Sequence, residues 1–166
     1  MKYSILLSIS LLALVWACNS PTSNPSQQIR IDSIVEKPAK TYTPGFGEFM
    51  SGIQVHHAKL WFAGQQQNWE LARFEINEIE EALSSIKEYC TNRPETKAIA
   101  MIDEPLDNLG KAIQDKDLMK FNSRYVILTN SCNSCHRATD HGFNVIIIPT
   151  SPPFSNQDFK PGSIKQ

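Results

Sequence analysis

Excess charge is the first thing this chain lacks. Its 16 Lys and Arg nearly balance 17 Asp and Glu, for a formal net charge of −1. No basic run stands anywhere in it, which removes the electrostatic basis of nucleic-acid binding. Long apolar stretches are also scarce. The one at the N-terminus, Ile5 to Trp16, is shorter than the roughly 20 residues a membrane-spanning helix needs. Beyond residue 44 no strand-like alternation of apolar and polar residues appears. Nothing resembles an acid/base pair or an activated nucleophile, so the chain is expected not to be an enzyme. Cysteine is limited to four residues, Cys18, Cys90, Cys132 and Cys135. A disulfide framework would be one use of them in an exported chain, but their positions suggest other uses.

What is present begins at the N-terminus. Lys2, the apolar run and Ala17-Cys18 read as a secretory signal peptide over residues 1–17. Val15-Trp16-Ala17-Cys18 resembles a bacterial lipoprotein box, which implies cleavage before Cys18 and lipid attachment to that residue. Trp16 departs from the small residue usual at its position. An ordinary signal peptide would instead leave Cys18 free. Both readings place the protein outside the cytoplasm, and the first anchors it to the periplasmic side of a bacterial membrane. Residues 18–44 are rich in Ser, Pro, Thr and Gln, the composition of a flexible tether.

Removing 17 of 166 residues leaves 149, enough for one domain with a sizeable core. Four helical segments are predicted within residues 45–140. The first spans about Gly47 to Ala63, with Phe46, Met50, Ile53, His57 and Leu60 on one face and Gly64 as its stop. The second spans about Gln67 to Tyr89. Ala72, Ile76, Ile79, Leu83, Ile86 and Cys90 form its seam, and Glu75, Glu78, Glu80 and Glu81 lie off it. The third starts near Pro94 and carries Ala98, Ile102, Leu106, Leu109 and Ile113. Pro105 is expected to kink or split it. The fourth begins after Asp115 or Asp117, with Leu118, Phe121, Tyr125, Leu128, Cys132 and Cys135 along its seam. Short connections between amphipathic helices predict an all-α, up-down four-helix bundle. Cys90 reads as a small buried hydrophobe.

The most specific pattern is Cys132-Asn133-Ser134-Cys135-His136. C-x-x-C-H is the attachment pattern of a c-type haem. Two cysteines one helical turn apart can both add to the vinyl groups at one porphyrin edge, and the histidine ligates the iron. A zinc site would want a second Cys/His pair, and none follows. A redox dithiol would want a βαβ setting, whereas the flanks are helical. One covalent haem c is therefore the expected cofactor. The cysteines continue the apolar seam of the fourth helix, which puts that cofactor inside the bundle.

Four helices with C-x-x-C-H near the end of the last resemble the cytochrome c prime family, including its low-spin members. The likeness covers about Gly47 to Ala138. It implies that Cys132, Cys135 and His136 are the attachment residues and proximal ligand, and that the protein carries electrons or binds small gases. The stretches His57 to Gly64 and Asn68 to Ala72 look unlike the best-known members, which suggests a divergent, lipoprotein branch.

The other face of the iron decides between those functions. Met50 and His57 share the first-helix seam, seven residues or about 10 Å apart. In an up-down bundle His136 is level with the start of the first helix, which favours Met50 as sixth ligand. Low-spin members of the family likewise place a Met early in helix one. His57 is read as a hydrogen-bonded interior histidine. His56 is expected to face solvent, and His141 lies on the proximal side. Met101 and Met119 lie beside their seams, and Trp61 and Trp69 are read as packing. Arg124, Arg137 and Lys120 could meet haem propionates, or simply form surface salt bridges. Residues 141–166 form an apolar, proline-broken tail, expected to fold over the haem end or to make a partner or dimer interface. One-electron transfer with unidentified redox partners is the leading expectation. A five-coordinate gas-binding or sensing module is its alternative, and an interaction lipoprotein with a structural haem is a third.

Overall fold

The computed structural model describes residues 42–162. The signal, the Cys18 lipid site, nearly all of the tether and residues 163–166 lie outside the described residues. Four long helices and one short one make up the described chain, with no strand among them: α1 (Phe46–Gln65), α2 (Trp69–Tyr89), α3 (Glu95–Ala98), α4 (Ala100–Gln114) and α5 (Leu118–Ala138). The protein is all-helical, and the long helices pack as a bundle. α1 packs on α2, α2 on α4, α4 on α5, and α5 back on α1.

Local chemistry sets the ends of these helices. Asn68 caps α2 by accepting from the Leu71 N–H, and Asp117 caps α5 by accepting from the Lys120 N–H at 2.9 Å. Each such cap stabilises a helix by about 1 kcal/mol. The chain reverses between α1 and α2 at Gln67 and between α4 and α5 at Lys116, both with positive φ. The second seam is buried as its periodicity predicts: Ala72, Ile76, Ile79, Leu83 and Ile86 are each at most 5% exposed. Each large aliphatic among them contributes about 1.5–3 kcal/mol relative to exposure.

Three sequence expectations need correction. Gly64 does not stop α1, which continues to Gln65; it is buried where the Phe121 ring leaves no room for a Cβ. Of the kink or split expected at Pro105, the split does not occur there: the helix runs through it. The interruption falls at Ile99, between α3 and α4, where Ile102 N–H bonds back to the Ile99 carbonyl at 2.9 Å in a tight turn. The third is the solvent-facing position expected for His56, which is held instead by Glu75, a carboxylate off the apolar seam. Glu75 is fully buried between α1 and α2, its Oε2 2.7 Å from His56 Nδ1. The Lys59 ammonium stands 2.9 Å from Oε1 as an ion pair whose angle falls short of a hydrogen bond. His56 is thereby held at the helix interface, 23% exposed, and does not point into solvent.

α1 and α5 run antiparallel, as their contacts show in sequence. Gln65 bonds Asn122, Trp61 packs on Phe121 and Tyr125, and His57 bonds Tyr125 and Thr129. Continuing that register brings the first turns of α1 level with the last turns of α5. After α5 the described residues, up to 162, have no regular structure. This segment touches α5 through Asn144 and Ile146, and farther on Phe159 is buried against Phe62 of α1.

Candidate functional site

The level where α1 begins and α5 ends encloses an open cavity of about 270 Å³. Small-molecule sites in proteins run upward from about 300 Å³, so it is close to that class before any ligand rearranges side chains. Ile79, Leu83, Ile99, Ile102 and Leu128 form an apolar wall. Against it stand Met50 from α1 and Cys132, Cys135 and His136 from α5. The register of the helices thus gathers all four residues that the sequence singled out.

Each side chain is held in a definite state. Cys132 and Cys135 are free thiols one turn apart. Burial pushes the Cys132 thiol up to about 11 and raises that of Cys135, so both stay protonated at neutral pH, unlike the thiolates of redox dithiols. His136 Nδ1 lies 2.6 Å from the Asn144 carbonyl. A carbonyl only accepts, so the proton sits on Nδ1 and the lone pair on Nε2. Metal-ligating histidines are oriented by this kind of bond. Asn133, between the two cysteines, donates to the Ile146 carbonyl and accepts from the Ile146 N–H, both at 2.8 Å. The tail is therefore fastened to α5 at two points, and one of them fixes the histidine.

His57 also reaches the cavity, but both its nitrogens are engaged. Tyr125 donates its hydroxyl proton to the His57 carbonyl at 2.7 Å. The same Tyr125 oxygen lies 3.0 Å from His57 Nδ1. Burial lowers His57 to a pKa of about 4, so the ring is neutral; its Nε2 lies 2.9 Å from the Thr129 hydroxyl, which itself donates to the Tyr125 carbonyl at 2.9 Å. Each ring nitrogen is thus covered by a hydroxyl and closed to a metal. Burial also drives the Tyr125 phenol well above its usual range.

This buried ring makes stability depend on pH. The folded pKa lies below the ordinary 6.5, so the contribution is complete above about 6.5 and is lost as pH falls toward 4. The difference corresponds to about 3 kcal/mol. Urea denaturation over that window should show wild type losing about that much more stability than His57→Gln. Parallel pH profiles would mean that the ring accepts a proton in place.

The cavity mouth holds residues without a signal in the sequence. Arg93 lies 5.8 Å above the Phe46 ring and bonds Glu95, which is 8% exposed. His141 and Asn144 complete the rim. The cations considered earlier are elsewhere: Lys120 pairs with Asp115 and Asp117, Arg137 donates to Ser134, and Arg124 is exposed and does not line the cavity. Met101 and Met119, 44% and 83% exposed, stay outside it. Trp61 and Trp69 pack around Phe121 toward the opposite end of the bundle.

Among the described residues no three His, Cys, Asp or Glu side chains converge as a metal-ion cluster. Cys132, Cys135 and His136 are spread along one cavity wall, which suits a planar ligand better than a tetrahedral ion. No family model, no curated protein and no solved structure matches this chain.

Proposed function

We propose that the protein is a c-type cytochrome that transfers single electrons at the periplasmic face of a bacterial membrane, similar to the low-spin members of the cytochrome c prime family. The observation that carries the reading is the shared cavity. It places C-x-x-C-H thiols, a histidine with a free Nε2 and a methionine from the facing helix around one apolar space. Cys132 and Cys135 would attach one haem c, His136 would be its proximal ligand and Met50 its distal one. The haem supplies a reversible one-electron centre, and Met with His ligation raises its potential relative to harder ligands.

The chain's own residues have separate tasks in this scheme. Asn144 takes the Nδ1 proton in a hydrogen bond and keeps the His136 ring from rotating. The Ile and Leu wall excludes water, which favours the less charged, reduced state. His57, tied to Tyr125 and Thr129, closes the inner end of the cavity without competing for the metal. Residues 1–17 would direct export, and a lipid at Cys18 would hold the domain beside its redox partners.

An absorption spectrum of the purified protein, oxidised and reduced, with and without carbon monoxide, tests the proposal. The expected result is a low-spin haem with a sulfur-to-iron charge-transfer band and no response to carbon monoxide. A high-spin haem that binds carbon monoxide would assign the cavity to gas capture. A purified protein without haem would defeat both readings.

A further inference from the structure

We infer that the outer edge of the tail, Val145 and Ile147 with Phe143 at its entry, is a self-association surface that pairs with the same segment of a second copy of this chain. The inference is independent of the cofactor. It starts from an alternation in burial. Phe143, Val145 and Ile147 are 84%, 63% and 69% exposed, while Ile146 turns into the cavity and Ile148 packs on the core. Three large apolar side chains in five residues thus face outward, beside Asn133 and the cavity rim.

The backbone has the same two-sidedness. The Ile146 N–H and C=O are both taken by the Asn133 amide. In extended chain the amide groups of neighbouring residues point to the opposite edge. There, Val145 and Ile147 make no backbone hydrogen bond with any described residue. Although the segment is not part of a sheet, it presents an unpaired backbone edge with apolar side chains, the arrangement that proteins usually blunt with lysine. No Asp, Glu, Lys or Arg occurs from residue 141 to 157.

Those features select the occupant. A partner recognised by charge finds none on this strip. A lipid surface would cover the side chains but leave four backbone groups unpaired in hydrocarbon, which is costly. A second copy satisfies both. With a two-fold axis at Ile146, Val145 lies opposite Ile147 of the other copy, and their N–H and C=O groups bond reciprocally. Asn133 occupies the inner edge and Pro149 offers no N–H, so pairing stops at two chains.

Sedimentation equilibrium of the full chain in detergent micelles tests this, across a wide concentration range. Wild type should show a reversible monomer–dimer equilibrium. Val145→Lys and Ile147→Lys should each weaken it by at least roughly tenfold, because each charge enters the interface twice. Both sites are exposed, and unchanged helical circular dichroism checks that the variants fold. Met119→Lys, exposed at the start of α5, should dimerise like wild type. A wild type that stays monomeric throughout would overturn the inference, as would a dimer indifferent to both lysines. A monomer whose Val145 and Ile147 are instead needed to bind neutral phospholipid vesicles would assign the strip to the membrane and overturn it too.

Discussion

Met50→Ala is expected to lower the reduction potential of the haem-loaded protein by on the order of 100 mV, a fraction of the ~0.8 V range that axial ligands command, and to open the iron to carbon monoxide. Met50 is the methionine that lines the cavity shared by Cys132, Cys135 and His136. Met101 and Met119 are too exposed and too distant from that space to replace it. The nearest alternative donor on α1 is His57, two turns further along the helix. Its Nδ1 and Nε2 are hydrogen-bonded to the Tyr125 and Thr129 hydroxyls, so coordinating a metal would break at least one buried hydrogen bond. Each buried group left unpaired costs about 1–3 kcal/mol. The position vacated by Met50 should therefore stay open, and the spectrum should change from low to high spin. If Met50 only packs, Met50→Ala leaves the spin state and the carbon monoxide response unchanged and costs only stability.

Most of the helical frame was legible because seam residues report their own period. Ile76, Ile79, Leu83 and Ile86 announce a buried face, and the Asp117 cap marks where α5 starts. The cavity was legible for a second reason. C-x-x-C-H fixes three residues by local spacing, and antiparallel helices then bring the start of α1 to the same level. Glu75 was not legible, since a carboxylate off the seam looks solvated until His56 and Lys59 arrive from another helix. Arg93 and Glu95 sit on a connection whose course no periodicity predicts. The clamp at Asn133 has no sequence signal either, because it depends on where a tail without regular structure crosses α5. Contacts that span one helix turn are written into the sequence. Contacts between an element and an irregular segment are not.

Gly64→Ala is expected to destabilise the protein by about 1–2 kcal/mol, opposite in sign to the same change in an exposed helix. Glycine in a helix interior costs roughly 1 kcal/mol relative to alanine, so helix propensity alone predicts a gain. At this position a Cβ would overlap the edge of the Phe121 ring. That ring has no exposed surface and nowhere to retreat. Trp61, Trp69 and Tyr125 surround it with ring centroids 5.9–6.3 Å away. Overpacking a rigid site of this kind costs about 1–3 kcal/mol and at times more, which outweighs the propensity gain. For a domain of this size the melting temperature should fall by roughly 3–10 °C. A double-mutant cycle isolates the cause: Phe121→Leu should cost stability alone, yet recover part of the loss when combined with Gly64→Ala. A Gly64→Ala variant more stable than wild type would mean that α1 and α5 can separate without penalty, and would weaken the register that places Met50 opposite His136.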